Sequence, residues 1–451
     1  MNDITAFFAF LKYCLGNKRN MSRVIAGMNW HELYSFASKQ ALLGLCFEGI
    51  ERLGEEYPEE LKQNPIGREL LMTWMGKAQQ IRRQNMKVNT VASKLYSMFR
   101  EDGLRCCVLK GQGNALMYPN PYSRTPGDID VWIDASRERI MEYAQKKFEL
   151  EDDIRLQHLE TSLDGVPVEL HFFPCSMNNP IYHARLQKWF RRNADLQCSH
   201  IVGLPDGAGD IAISTTAFNV IYQLTHLYHH FFDEGIGMRQ IIDYFLVVND
   251  FSKNVFLNND LSNPSVSLSK GSSTAFPKPL SPQGTGDVTA LRCSEPLRSK
   301  DGGASKPSPN CAGWDRLAIE GDNSAGSTTV VTSSASTALV VVQRELKYLG
   351  LWKFAGAVMY VLHETLGLSE EKMIAPMDEK RGKLLLAEIL NGGNFGRHFT
   401  KYGHFTQQGM AKKYFLKIWR NMHFVRYYPA EALSEPIFRT WHFFWRLKHR
   451  R

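Results

Sequence analysis

Apolar residues recur at helical spacing through the first hundred positions, as in Leu70, Leu71, Trp74, Met75 and Ala78, against a background of Leu, Met, Ala, Lys and Gln. This pattern predicts a helical region over residues 1–100. Over 101–205 the period shortens to strand-like runs: RCCVLKG, DIDVWID, HLETSL and VPVELHFF. The last two flank Asp164-Gly165, and an Asp-Gly pair between β-prone runs predicts a hairpin. Helical periodicity returns over 206–259 and again over 343–451. The expected fold class is α+β: a small mixed β-sheet core flanked by helical N- and C-terminal regions.

Residues 260–342 break this pattern. Of these 83 positions, 16 are Ser, 8 Gly, 7 Pro and 7 Thr, with no sustained apolar period. Such a stretch buries too little apolar surface to offset the entropy of ordering it, so it reads as a disordered insert. A short strand or helix start is expected at TALVVV. The GTG and KGSS runs do not form a phosphate loop, because no GxxxxGK[ST] is present. IIDYFLVVNDF before the insert and ELKYLGLWKFAGAVMYVL after it read as neighbouring helices of one interrupted domain.

Composition narrows the class. With 451 residues, 43% of them hydrophobic, the chain supports two or three packed units. No run approaches the roughly 18 to 20 apolar residues of a membrane-spanning helix, so no transmembrane segment is expected. Asp3 and Lys12 within the first apolar run argue against a secretory signal. Eight Cys without a CxxC pair predict reduced thiols and a cytoplasmic location.

The formal net charge of +8 is unevenly spread. Residues 397–451 hold 12 Lys and Arg against Glu431 and Glu435, a net of +10, while the insert sums to zero and the remainder to −2. In this tail Lys412, Lys413, Lys417, Arg420 and Arg426 alternate with Tyr414, Phe415, Trp419 and Phe424. The pattern suits RNA or single-stranded DNA, or an anionic membrane surface. The simpler reading packs the aromatics on the helical domain and leaves the charges in solvent.

Candidate chemistry concentrates in VLKGQGNALMYPNPYSRTPGDIDVWID. On a strand, Asp128 and Asp130 project to one face while Ile129 and Val131 face the core. Two adjacent carboxylates repel unless a cation lies between them, and hard oxygen ligands suit Mg²⁺ or Mn²⁺. Glu169 on the hairpin strand offers a third carboxylate, an arrangement fit for phosphoryl or nucleotidyl displacement. His171, two residues on, reads as a polar strand-face residue or as one that orients a carboxylate, the former being simpler. Gly111 and Gly113 stand where a strand meets a helix, a natural anion site. Lys110 and Arg124 either contact phosphates or pair with nearby carboxylates.

These residues resemble the uncharacterised nucleotidyltransferases of the DNA polymerase beta-like superfamily. The likeness rests on a strand ending in Lys110-Gly111, Arg124 downstream, Gly127-Asp128-Ile129-Asp130, and Val168-Glu169-Leu170-His171 on a later strand. It covers about Leu104 to Phe173. The superfamily has Gly-Gly or Gly-Ser at the helix start; here Gln112 takes the second place and Gly113 follows. The resemblance implies Asp128 and Asp130 as metal ligands and catalytic groups, with Glu169 as the third carboxylate.

Two other clusters have plainer readings. His226, His229 and His230 fall at i, i+3 and i+4 of a predicted helix, but without HExxH or a Cys set they read as packing or as a pocket wall. Arg239 and Asp243, at i, i+4, read as a helix-surface pair or as a pair lining the cleft beside the sheet. The expected function is therefore metal-dependent transfer of a nucleoside monophosphate from a nucleoside triphosphate such as ATP to an acceptor hydroxyl, with pyrophosphate released. The acceptor is a small molecule, a protein or an RNA. The alternative is a non-catalytic nucleotide- or RNA-binding module that uses the basic tail.

Overall fold

The first hundred residues fold into six helices: α1 (Asp3–Cys14), α2 (Ser22–Ala26), α3 (Trp30–Lys39), α4 (Leu43–Glu56), α5 (Pro58–Gln63) and the 34-residue α6 (Arg68–Glu101). A computed structural model describes residues 3–17, 20–150, 155–261, 334–399 and 410–449. The chain divides into a unit of residues 1–260 and 332–451 and another of 261–331. Nearly all of the stretch expected to be disordered thus lies outside the described residues.

The apolar stripe of α6 serves two cores. Leu70 and Trp74 are buried in the main helical core, and the Trp74 indole donates to the Leu43 carbonyl at 2.9 Å. Further along, Val88, Val91, Ala92, Leu95 and Phe99 lie beneath the sheet. Burying several Val- to Phe-sized side chains contributes roughly 1.5–3 kcal/mol each, so packing outweighs propensity in a helix this long.

The sheet comprises β1 (Cys106–Leu109), β2 (Ile129–Ile133), β3 (His158–Leu163) and β4 (Val166–His171), ordered β1-β2-β4-β3. It is mixed: β1 and β3 run antiparallel to their neighbours, while β2 and β4 are parallel. Short helix α7 (Gly111–Ala115) follows β1, and α8 (Arg137–Lys147) follows β2. Asp164 (φ 51°) and Gly165 (φ 70°) make the β3–β4 turn, both in the left-handed region that a two-residue hairpin demands.

The sheet is buried on both faces. Ile129, Val131, Val168 and Leu170 pack towards α6 and α8. Cys107, Leu109 and Trp132 face the helical core, where Trp132 stacks on Phe218 at 6.1 Å. Asp130 shares this second face with Trp132, because alternate residues project to the same side.

Beyond the sheet come α9 (Pro180–Ser199), strands β5 (Ile201–Gly203) and β6 (Asp210–Ala212), α10 (Thr216–Asp233) and α11 (Met238–Leu261). β5 pairs with β6, so this hairpin straddles the 205/206 boundary drawn from the sequence. Strands of three residues are too short for a period-2 pattern, and the polar turn between them reads as a linker. The chain resumes with α12 (Ser334–Tyr348), whose first nine residues fall within the segment assigned to the insert, followed by α13 (Trp352–Leu366) and α14 (Glu379–Gly392). Ile241 and Val248 of α11 share one core with Val342, the last residue assigned to the insert, and with Leu346 and Phe354 beyond it.

The tail forms α15 (Met410–Met422) and α16 (Pro429–His449). Arg420, Phe424 and Tyr428 are buried, and Lys417 and Arg439 each pair with Asp233 of α10, at 2.8 and 2.9 Å. Part of the tail's basic charge is therefore internal. Ile437, Trp441 and Phe444 remain exposed on α16. No described helix is long and apolar enough to cross a membrane.

Candidate active site

Strand register assembles the acidic cluster. Asp130 lies opposite Glu169 on the parallel neighbour, and Glu169 lies opposite Glu160 on β3. One step along, Trp132, His171 and His158 form the next row on the same face. Like charges placed directly opposite destabilise a sheet, so a row of three carboxylates needs compensation.

Part of that compensation comes from the protein. His171, almost fully buried, places Nε2 3.0 Å from Asp130 Oδ1 and 3.1 Å from Glu169 Oε2. The Gln157 amide nitrogen donates to the Pro174 carbonyl at 3.1 Å and sits 3.3 Å from His171 Nδ1. Burial opposes charge on His171, but its contacts with Asp130 and Glu169 outweigh burial and push its pKa up to about 9, so Nε2 carries a hydrogen where it faces the two carboxylates. His171 therefore orients both acids and is not a solvated strand-face residue. Its strand face is covered by the helical core, which the local pattern does not reveal.

Lys110 completes the inner cluster. Its Nζ lies 3.1 Å from Asp130 Oδ2 and 2.7 Å from His226 Nε2. Lys110 also has φ 53°, a conformation that costs a non-glycine residue on the order of 1–3 kcal/mol and is tolerated where surrounding structure enforces it.

The electrostatics separate the two aspartates. The neighbouring Asp130, then burial and Glu169, push the Asp128 carboxyl up to about 6. Burial opposes charge on Asp130, but Lys110 and His171 more than offset it and hold that carboxyl low. Glu169 is likewise held low, burial being outweighed by His171. Asp128 is thus the one of the three acids whose charge the chain disfavours, Lys110 offsetting only part of the repulsion.

Asp128, Asp130, Glu169, Lys110, Gly111 and Arg124 line one cavity of about 310 Å³. His226, His229, His230 and Arg239 line it too, which makes the histidine cluster a pocket wall. Burial lowers the pKa of all three histidines, keeping that wall uncharged. Gly113 is not in the lining; a side chain there would meet Ile213 at 3.1 Å, so its smallness serves packing. Phe395, carried on the loop after α14 with φ 54°, also enters the lining, its ring edge-on to His230 at 5.4 Å.

Arg124 faces two ways. Its Nε and Nη2 donate to Asp243 at 2.9 and 2.8 Å, and the Tyr118 hydroxyl donates to the same carboxylate at 2.7 Å. Arg124 Nη1 has no hydrogen-bond partner among the described residues. Arg239 and Asp243 are both buried and both line the cavity, so of the two readings the cleft-lining pair holds and the surface pair does not; Arg239 donates to the Thr125 carbonyl at 3.0 Å. Helical spacing alone does not reveal that α11 is covered on this side.

Among the described residues, one ligand atom each of His158, Glu169 and His171 lies within 4.8 Å of the others, a candidate cation site of His and Glu donors beside the cavity that Asp128 and Asp130 also line. Residues 26–262, more than half the chain, match the family described as uncharacterised nucleotidyltransferase. The chain belongs to that family. It is a nucleotidyltransferase, and the sheet and all of the cavity lining except Phe395 and Arg397 lie within the matched region. No curated protein matches the chain. Among solved structures, an antigenic nucleotidyltransferase-like protein from Paracoccidioides brasiliensis is similar at 17% identity, covering 36% of this chain and 75% of that one. The TM-score of 0.25 is too low for that likeness to bear on the site. The nucleotidyltransferase match ends before α12, so Phe395 and the tail helices lie outside it.

Sequence reasoning missed His158, Gln157 and Phe395 as parts of this cavity. A histidine at the head of a predicted strand, with Gln157 just before it, was the only signal for the first two. Phe395 lies far from the motif in sequence and reaches it only through packing.

Proposed function

We propose that this nucleotidyltransferase moves a nucleoside monophosphate from a nucleoside triphosphate to an acceptor hydroxyl, using a divalent cation, Mg²⁺ or Mn²⁺, held by Asp128, Asp130 and Glu169. The observation that carries this reading is the convergence of these carboxylates on one cavity beside Lys110. A cation bound there supplies charge neutralisation to the phosphate oxygens and the leaving group.

The chain's own groups do the rest. Lys110 reaches from Asp130 towards the phosphates, with Gly111 beside it. The unpartnered nitrogens of Arg124 (Nη1) and Arg239 (Nε) supply further donors to them. Glu169 receives the acceptor hydroxyl's proton. The freed oxygen bonds to the α-phosphorus as the bond from that phosphorus to pyrophosphate breaks. His171 holds Asp130 and Glu169 in place throughout. The uncharged histidine wall excludes water without competing for the cation.

Pyrophosphate release from a panel of nucleoside triphosphates in cell extract, with mass spectrometry of the nucleotidylated species, tests this reading. Asp128→Asn and Asp130→Asn each lower turnover by about a hundredfold or more while circular dichroism stays unchanged. Full turnover in Asp128→Asn overturns the assignment.

A further inference from the structure

His158 has no role in the scheme above, yet it is 8% exposed and lines the cavity. Neither ring nitrogen has a hydrogen-bond partner among the described residues. A buried imidazole with both nitrogens unpaired costs the desolvation of a donor and an acceptor, so it needs an explanation. Its surroundings supply one. Nδ1 stands 3.4 Å from Glu169 Oε2, and Nε2 stands 3.6 Å from Glu160 Oε1. His158, Glu169 and His171 each offer a ligand atom within 4.8 Å of the others.

Two donors bound to one ion at about 2.0–2.2 Å stand about 3.0–3.5 Å apart, the separation of His158 Nδ1 and Glu169 Oε2. His171 does not compete for this role, because its Nε2 is taken up by Asp130 Oδ1 at 3.0 Å and Glu169 Oε2 at 3.1 Å.

Resting on the nucleotidyl-transfer reading of this cavity, we propose that His158 Nδ1 is a nitrogen ligand of the divalent ion that Glu169 holds. The chemical class follows. Mg²⁺ takes oxygen ligands almost exclusively, whereas a first-row transition ion accepts imidazole and carboxylate together. The site selects Mn²⁺, or a related first-row ion, over Mg²⁺.

The test uses the full chain stripped of metal and titrated calorimetrically with Mn²⁺ and with Mg²⁺, together with pulsed electron paramagnetic resonance of the Mn²⁺-loaded protein. Wild type binds Mn²⁺ more tightly than Mg²⁺ and shows nitrogen coupling to the manganese. His158→Gln loses the coupling and about tenfold or more of the Mn²⁺ affinity, with Mg²⁺ affinity unchanged. His171→Gln keeps the coupling. Absence of coupling in wild type, its persistence in His158→Gln, its loss in His171→Gln, or an equal fall in Mg²⁺ affinity each overturns the proposal. Pyrophosphate release separates the two readings: release without nitrogen coupling sinks only the His158 ligand, while coupling without release under any ion sinks nucleotidyl transfer.

Discussion

Arg124 illustrates how one side chain divides between structure and site. Its fork-to-fork pair with Asp243, joined by Tyr118, is buried on all sides. Burial raises the cost of leaving either charge alone. Asp243→Asn is therefore expected to destabilise the protein by about 3–5 kcal/mol in denaturant titrations, and the Arg124→Met, Asp243→Leu pair by less than either single change. His171 is a positioning residue of a different kind. His171→Gln keeps a side-chain amide near the carboxylates but loses the imidazole's reach, so kcat falls about 10–100-fold with KM little changed. A rise in KM with constant kcat would instead assign His171 to substrate binding.

Two elements depend on single contacts. The β3–β4 hairpin places Glu169 and His171 in register with β2, and its turn requires positive φ at Gly165. Gly165→Ala is expected to lower stability by about 1 kcal/mol, read from thermal melts, through that backbone angle. Helix α9 begins against α16: Glu431 accepts from the backbone of Asn178 at 2.6 Å and of Asn179 at 3.2 Å. Burial nonetheless pushes the Glu431 carboxyl up to about 7 from an ordinary 4.5. The folded state then binds the proton more tightly than the unfolded chain, so stability from this group is full below pH 4.5 and is lost as pH rises through 7. The expected loss is at most about 3 kcal/mol, and Glu431→Gln should flatten stability across pH 5–7.

At the scale of the molecule, the tail is part of the fold. Arg420, Phe424 and Tyr428 are buried, and the Asp233 carboxylate at the cavity wall is bridged by Lys417 and Arg439. Removing residues 410–451 is expected to lower the melting temperature and expose apolar surface to a hydrophobic dye, an outcome a separable nucleic-acid-binding arm would not show. Residues 261–331 form their own unit. Replacing 262–333 with a flexible linker is expected to leave melting temperature and pyrophosphate release unchanged; loss of soluble protein would show that the segment supports the fold.

Local pattern was enough for the α+β class and the Asp-Gly hairpin, because strand alternation and turn chemistry act over a few residues. It also singled out Glu169, whose motif lies on the hairpin strand. Which strands became neighbours was a tertiary outcome: β2 and β4 lie parallel, and that register alone sets Asp130 opposite Glu169. The same packing turned His171 inward, drew Asp243 to Arg124, and brought His158 and Phe395 to the cavity from distant segments. Burial decided these roles, since an imidazole or a guanidinium takes its function from what replaces water around it, and no period in the sequence records that.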